Sequence, residues 1–456
     1  MDKKDIIAKI EDLSVDQIVG FISGGIVTFQ ELRDAARKGD CNWGRDSQKS
    51  VEKLLTKKDN DAYSSANTME ELLDYLAKFP IGNHVSDAEA KVQLMQDEIY
   101  AEERIRKERE KMLQVIKEDI NEYDTDDIIT KLSAEVLDDL CNDLGINAQM
   151  IKNYKEPPLK YNEIPQSTDD IPEDYTDVFF WGIPSSGKTC ALSAILSTIK
   201  KDYSMEAPDC NKKFGATYRD SLINIFRNEF SYLPGRTNVD KTQYMPFLLY
   251  KRGEKNKRKI SFFELSGEVF QYFYDVVYDT QLVNDFKKED IEKSFQALEL
   301  LLKSNNQKIH FFFIDYNQET KHTSDSYGLT QGNYLEAAAI YFRDAKDNDN
   351  KPVDIFKKKT DAVYVVITKS DEIRGNDRKT NAKSFLNENF GSFMDVLQNQ
   401  CQKHSVDFNV KLFSIGDVYF KKICKINRAY STDIINDLLE RIKPLSDSKL
   451  KKFFNS

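Results

Sequence analysis

The stretch "VFFWGIPSSGKT", residues 178–189, constrains this chain more than any other. Four apolar residues of strand type run into a loop bounded by Gly182 and Gly187 and closed by Lys188 and Thr189; the helical pattern "CALSAILSTIKK" follows. A strand that feeds a helix through so short a glycine-bounded loop predicts an α/β unit. Residues Gly182, Pro184, Ser185, Ser186, Gly187, Lys188 and Thr189 satisfy G-x-x-x-x-G-K-[ST] in full. Glycines let backbone N–H groups converge on phosphates, the lysine reaches the β/γ-phosphates, and the hydroxyl ligates Mg²⁺.

Around this loop the chain divides by pattern. Residues 1–150 are helical in periodicity and read as a regulatory or interaction module, 151–174 as a linker broken by Pro157, Pro158, Pro165 and Pro172, and 175–456 as an α/β domain. In the first part, Thr68 and Glu71 have capping-box spacing ahead of the apolar face Leu72, Leu73, Tyr75, Leu76 and Phe79, and Pro80 and Gly82 end the helix. This segment resembles the helical hairpins of bacterial tetratricopeptide-like repeats, in a single copy. "LSVDQIVGFISGGIVTFQEL" (13–32) and "LSAEVLDDLCNDLGINAQMI" (132–151) are weakly alike: two related helical units, or simply two amphipathic helices that end at glycine.

Composition narrows the partners. The formal net charge of −10 argues against nucleic acid as a partner. Six Cys without CxxC spacing and four scattered His argue against a zinc site or a disulfide framework, and read as reduced thiols of a cytoplasmic protein. No stretch approaches the roughly 18 apolar residues of a membrane span, and the N-terminus lacks an apolar core of signal-peptide length.

Downstream, "DAVYVVITKSDEI" places Thr368, Lys369, Ser370 and Asp371 at the end of a Val/Ile-rich run expected to be a buried parallel strand. "KISFFELSGEVF" gives a strand and then Glu264, Leu265, Ser266, Gly267, and "DFNVKLFSIGDV" carries Ser414, Ile415 and Gly416 at the end of the last strand. In this order the segments resemble those of TRAFAC-type P-loop GTPases over residues 175 to about 445, with "FGATYRDSLINIFRNEFSYLPGRT" similar to the bacterial double-GTPase group.

The resemblance implies a mainly parallel sheet with one antiparallel hairpin strand and helices on both faces, preceded by an all-α domain. It implies GTP or GDP as ligand with Mg²⁺. Thr368, Lys369 and Asp371 would take the guanine base, with the backbone of Ser414 and Ile415 at its O6. Thr189, Thr237 and Glu264 would serve the metal, and Gly267 the γ-phosphate. Lys188, Glu268 and Arg236 would act in hydrolysis. Glu264 stands where Asp is usual and Glu268 where Ras-like enzymes carry Gln. Thr242 competes with Thr237 for the switch position, and Arg236 is either a finger in cis or a solvated loop residue.

Two rival matches exist: Thr56 to Asp59 for the base motif, on a helical pattern, and Asp325 to Gly328 for the Glu264 motif, in a polar loop. The expectation is a GTP-hydrolysing switch with slow intrinsic turnover, whose N-terminal helices bind protein partners and which can self-associate. The alternatives are a P-loop ATPase and a non-hydrolysing, nucleotide-stabilised scaffold.

Overall fold

The computed structural model describes residues 1–208, 214–235, 242–283, 285–321, 324–344, 355–356, 359–375 and 377–445. It divides into two units, Met1–Lys117 and Glu118–Ser456.

The first unit is built from helices: Lys3–Ala8, Val15–Ser23, Phe29–Lys38, Arg45–Ser65, Met69–Lys78 and all but the last residue of Val85–Glu118. Capping boxes at Ser14/Gln17, Thr28/Glu31 and Thr68/Glu71 start three of them, each satisfying backbone N–H groups that the helix leaves open. Ile6, Ile10, Ile18, Val19, Leu32, Trp43 and Val51 form one core, and Leu72, Tyr75, Ala88 and Val92 a second. The Thr56–Asp59 match lies inside the helix Arg45–Ser65. Asp59 is buried and accepts from the Tyr75 hydroxyl (2.7 Å) and from the Asn83 backbone N–H (2.7 Å). That carboxylate ties two helices together and has no strand ahead of it.

In the second unit, β1 (Thr176–Trp181) is buried along its whole length because it has neighbours on both sides. The other strands are β2 (Tyr203–Glu206), β3 (Phe230–Tyr232), β4 (Gln243–Lys251), β5 (Arg258–Glu264), β6 (Gln307–Asp315), β7 (Thr360–Thr368), β8 (Asp407–Leu412), β9 (Gly416–Tyr419) and β10 (Ile423–Ile426). Among the described residues, seven strands form one sheet in the order β2-β4-β5-β1-β6-β7-β8, parallel from β5 to β8. β4 runs antiparallel to β2 and β5, giving the hairpin strand expected from the sequence. A second sheet, β3-β10-β9, is antiparallel.

Alternation along the strands sorts the side chains into two layers. Val178, Phe180, Phe262, Phe311, Phe313, Tyr364 and Val366 pack on one face, under helices that include Lys188–Asp202, Ala216–Ile225 and Ala429–Arg441. Phe179, Trp181, Phe263, Phe312, Ile314, Val365 and Ile367 pack on the other, under Val269–Tyr278, Asp285–Lys303, Gln331–Asp344 and Arg378–His404. The result is a three-layer α/β unit.

The boundary between units falls at Lys117/Glu118, inside the stretch 1–150 that the sequence reads as one helical module. Three short helices, Thr125–Lys131, Ala134–Leu144 and Ala148–Lys152, belong to the α/β unit. Lys422 lies 3.7 Å from Asp124 and 3.8 Å from Asp126, Lys421 donates to the Glu122 carbonyl (3.0 Å), and Tyr154 meets Tyr232 edge-on at 5.2 Å. Periodicity reveals that such a segment is helical but not which core it joins. The Pro-rich stretch also packs on the α/β unit: Ile171 is buried, and Asn306 donates to the Pro172 carbonyl (3.0 Å). No described helix is long and apolar enough to cross a membrane.

Candidate functional site

Strand register decides which residues can meet. Phe180 of β1 is level with Glu264 of β5, Trp181 with Phe312 of β6, and Asp315 of β6 with Thr368 of β7. The loop after Trp181, the acid at the end of β5 and the residues after Thr368 therefore emerge at one edge of the sheet, at the carboxyl ends of parallel strands. Open α/β sheets bind ligands at that edge.

The loop Gly182–Gly187 turns there by positive φ at Gly182 (149°), Ser185 (64°) and Gly187 (83°). A Cβ at Gly182 would stand 2.6 Å from Ser186 Oγ and 2.9 Å from the Phe313 carbonyl oxygen, so only glycine fits between β1 and β6. The helix Lys188–Asp202 starts directly from Gly187, with no side chain capping its first N–H groups. An uncapped helix N-terminus behind a glycine loop is an anion site by its own dipole and donors. Ser186 Oγ is buried and has no hydrogen-bond partner among the described residues.

Lys188 is buried, and its ammonium donates to the carbonyls of Gly182 (2.5 Å) and Ile183 (2.9 Å). Burial pulls its pKa down to about 8, while Glu264 and Glu268 oppose the drop. Thr189 donates its hydroxyl proton to Glu264 Oε1 (2.5 Å), and the Tyr218 hydroxyl donates to Glu264 Oε2 (2.6 Å). Glu264 is 1% exposed, and burial raises its pKa despite these two donors. A threonine hydroxyl whose proton is taken keeps its lone pairs for a cation.

Gly267 comes close to the loop: a Cβ there would lie 2.3 Å from the Pro184 nitrogen and 2.6 Å from the Ile183 carbonyl carbon. Glu268 accepts from Ser266 Oγ (2.6 Å). Thr242 is buried and accepts from the Ser266 backbone N–H (3.4 Å), so it supports the Glu264–Gly267 segment from behind. Arg236 and Thr237 lie outside the described residues.

At the end of β7, Thr368 donates between the carbonyls of Ser186 (3.0 Å) and Ile314 (3.1 Å), fastening the phosphate-loop candidate to the base-motif candidate. Lys369, with φ 54°, turns its ammonium to Asp315 Oδ2 (2.8 Å). The backbone of Asp315 is held from both sides by the Gln331 amide at 2.8 Å. Ser370 N–H donates to the Phe413 carbonyl (3.2 Å), which sets the turn after β8 beside Asp371. In that turn Ser414 Oγ accepts from the Gly416 N–H (3.2 Å).

One cleft of about 1070 Å³ is lined by Pro184–Cys190, Glu264, Gly267, Glu268, Thr368, Lys369, Asp371 and Ile415, together with Lys321, Lys421 and Lys422. Ser414 is buried beside it and lines a smaller adjoining cavity with Asp371 and Gly416. The rival Asp325 instead closes its own loop, accepting from the N–H groups of Tyr327 and Leu329 and from the Tyr334 hydroxyl. Cys190 lines the cleft, but burial pushes its thiol up to about 12, where it is unreactive at neutral pH.

Sequence reasoning missed Tyr218, Asp315 and the cleft lysines. Asp315 ends the apolar run of β6, and only the strand pairing, which sets it level with Thr368, brings it to the site. Among the described residues no group of three or more His, Cys, Asp or Glu could hold a metal ion. The oxygen pair Thr189 and Glu264 suits Mg²⁺, which takes one or two protein oxygens and completes its shell with water and phosphate. No protein-family model matches this sequence, and no curated protein matches it.

Proposed function

We propose that this chain binds guanine nucleotides with Mg²⁺ and hydrolyses GTP slowly, as a cytoplasmic switch on a P-loop GTPase fold. The observation that carries the reading is the convergence on one cleft of the Gly182–Thr189 loop, the Glu264–Gly267 segment and the Thr368–Asp371 turn, from three parallel strands far apart in sequence. The helix N-terminus and Lys188 take the phosphates. Thr189 and Glu264 hold Mg²⁺, which neutralises charge on the β- and γ-phosphates. The Asp371 carboxylate accepts from the ring N–H and amine of guanine.

In hydrolysis, water attacks the γ-phosphorus in line, the bond to the β–γ bridging oxygen breaks, and GDP and phosphate leave. Glu268 lines the cleft where that water must be oriented, but a carboxylate there repels the triphosphate, so a partner or self-association is needed for speed. Leu94, Ile105, Met112 and Val115 are exposed along one side of the helix Val85–Glu118, which supports a partner-binding role for the helical residues. One observation favours binding without turnover: both oxygens of Glu264 are already engaged, by Thr189 and by Tyr218. Phosphate release under single-turnover conditions separates the two readings.

The test of the base site is thermal protection by GTP, GDP or ATP with Mg²⁺, on wild type and Asp371→Asn. A ligand at a hundred times its Kd adds about 2.7 kcal/mol. Protection by guanine nucleotides alone, cut at least about tenfold in affinity by the substitution, is expected, since an amide offers a donor where the carboxylate accepts. Equal protection by ATP, or indifference to Asp371, overturns the reading.

A further inference from the structure

Glu264 is held by a residue that no phosphate or base motif contains. Its Oε2 accepts from Tyr218, a fully buried side chain on the helix Ala216–Ile225. Tyr218 in turn is fixed by the Pro-rich stretch that precedes β1. Its backbone N–H donates to Asn162 Oδ1 (3.0 Å), and its ring stacks on Tyr161 at 5.3 Å.

Asn162 is clamped on its other side by Gln243, which accepts from its N–H (2.9 Å) and donates to its carbonyl (3.0 Å). Asn162 Nδ2 also donates to Thr217 Oγ1 (3.3 Å), and Lys160 N–H to Ser221 Oγ (3.4 Å). Gln243 is the residue of β4 level with Glu264 of β5. A strap of residues 160–162 therefore grips both the helix that carries Tyr218 and the strand beside Glu264.

We propose that Tyr218 is a positioning residue for the cation site: it orients the Glu264 carboxylate toward Thr189, and the strap at Asn162 sets Tyr218. This rests on the Mg²⁺–nucleotide reading above. With Oε2 tied to the phenol, Oε1 is left facing the Thr189 hydroxyl, so the pair that meets the cation is ordered before ligand arrives. Chain tension or docking that lifts the strap releases Tyr218 and disorders the pair, which gives the segment leading into β1 control over cation binding without touching the phosphates.

The experiment measures GTP affinity by calorimetry across a Mg²⁺ series and in EDTA, for the full chain as wild type, Tyr218→Phe and Asn162→Ala. Phenylalanine keeps the ring on Tyr161 and removes only the hydroxyl. Both variants are expected to raise the Mg²⁺ concentration for half-maximal effect by about tenfold or more, as lost outer-shell partners do, while affinity in EDTA stays within about twofold. Wild-type Mg²⁺ dependence in both variants, or an equal loss of affinity in EDTA, overturns the proposal and leaves the nucleotide reading standing. Failure of wild type to bind GTP at any Mg²⁺ concentration overturns both.

Discussion

Lys188 shows how a single buried group links the state of the site to pH. The protonated amine is the form that pairs with phosphate, and burial has brought its pKa down to about 8 in the free protein. Above that value the free protein must take up a proton before it binds, so GTP affinity is expected to fall about tenfold per pH unit between roughly pH 8 and the ligand-raised pKa. Calorimetry in two buffers of different ionisation enthalpy checks this, and net proton uptake near pH 8.5 is the expected sign. Lys188→Met should abolish the uptake and weaken binding at neutral pH. Glu264 works the other way: burial raises its pKa, so the cation-dependent part of binding weakens as pH falls and the carboxylate is neutralised.

Between the Glu264 segment and the phosphate-loop candidate one close approach is backbone to backbone, and glycine is what permits it. Gly267 meets Ile183 and Pro184 where neither partner is a flexible side-chain end. Gly267→Ala is therefore expected to part the Glu264 segment from the phosphate-loop candidate, lowering GTP affinity more than tenfold and stability by about 1–3 kcal/mol, with the far-UV circular dichroism unchanged. Unaltered affinity in this variant would mean that the two segments do not act on one ligand.

The strand and loop before Lys188 were legible because the buried parallel strand carries an apolar run from Val178 to Trp181 and the loop's chemistry is local. β6 stops at Asp315, whose side chain accepts from the N–H groups of Asn317 and Gln318 and opens the helix Tyr316–Thr320. Pairings between distant residues left no trace in local pattern: Lys369 with Asp315, Tyr218 with Glu264, and Asn162 with Gln243. Such contacts are set by register and packing, which a window along the chain does not sample.

At the scale of the molecule, each unit carries one tryptophan in its core, Trp43 in the first and Trp181 in the second, and the second sits against a titratable group. Trp181 Nε1 donates to His310 Nδ1 (3.0 Å), so the histidine's proton is on Nε2, which donates to Thr360 Oγ1 (3.3 Å). His310 is fully buried between Phe179 and Trp181, and burial, aided by Lys308, drives its pKa down to about 3 from 6.5.

A folded pKa below the unfolded one means that the unfolded chain binds the proton first. The stability tied to neutral His310 is whole above pH 6.5 and is lost as pH falls toward 3. Between pH 7 and 4.5 the loss from this group is about 2–3 kcal/mol, from roughly two units at 1.36 kcal/mol each. A Trp43→Phe background makes Trp181 the sole tryptophan reporter, and urea unfolding at the two pH values gives the change for the α/β unit. His310→Asn keeps an acceptor for the indole without a titrating ring, so it should be less stable at pH 7 yet lose about 2–3 kcal/mol less on acidification. Equal acid sensitivity in both proteins would place the titrating group elsewhere. The expected difference instead makes the neutral imidazole of β6, packed on Phe179 and Trp181 of β1, a stabilising part of the sheet on which the Gly182 loop is built.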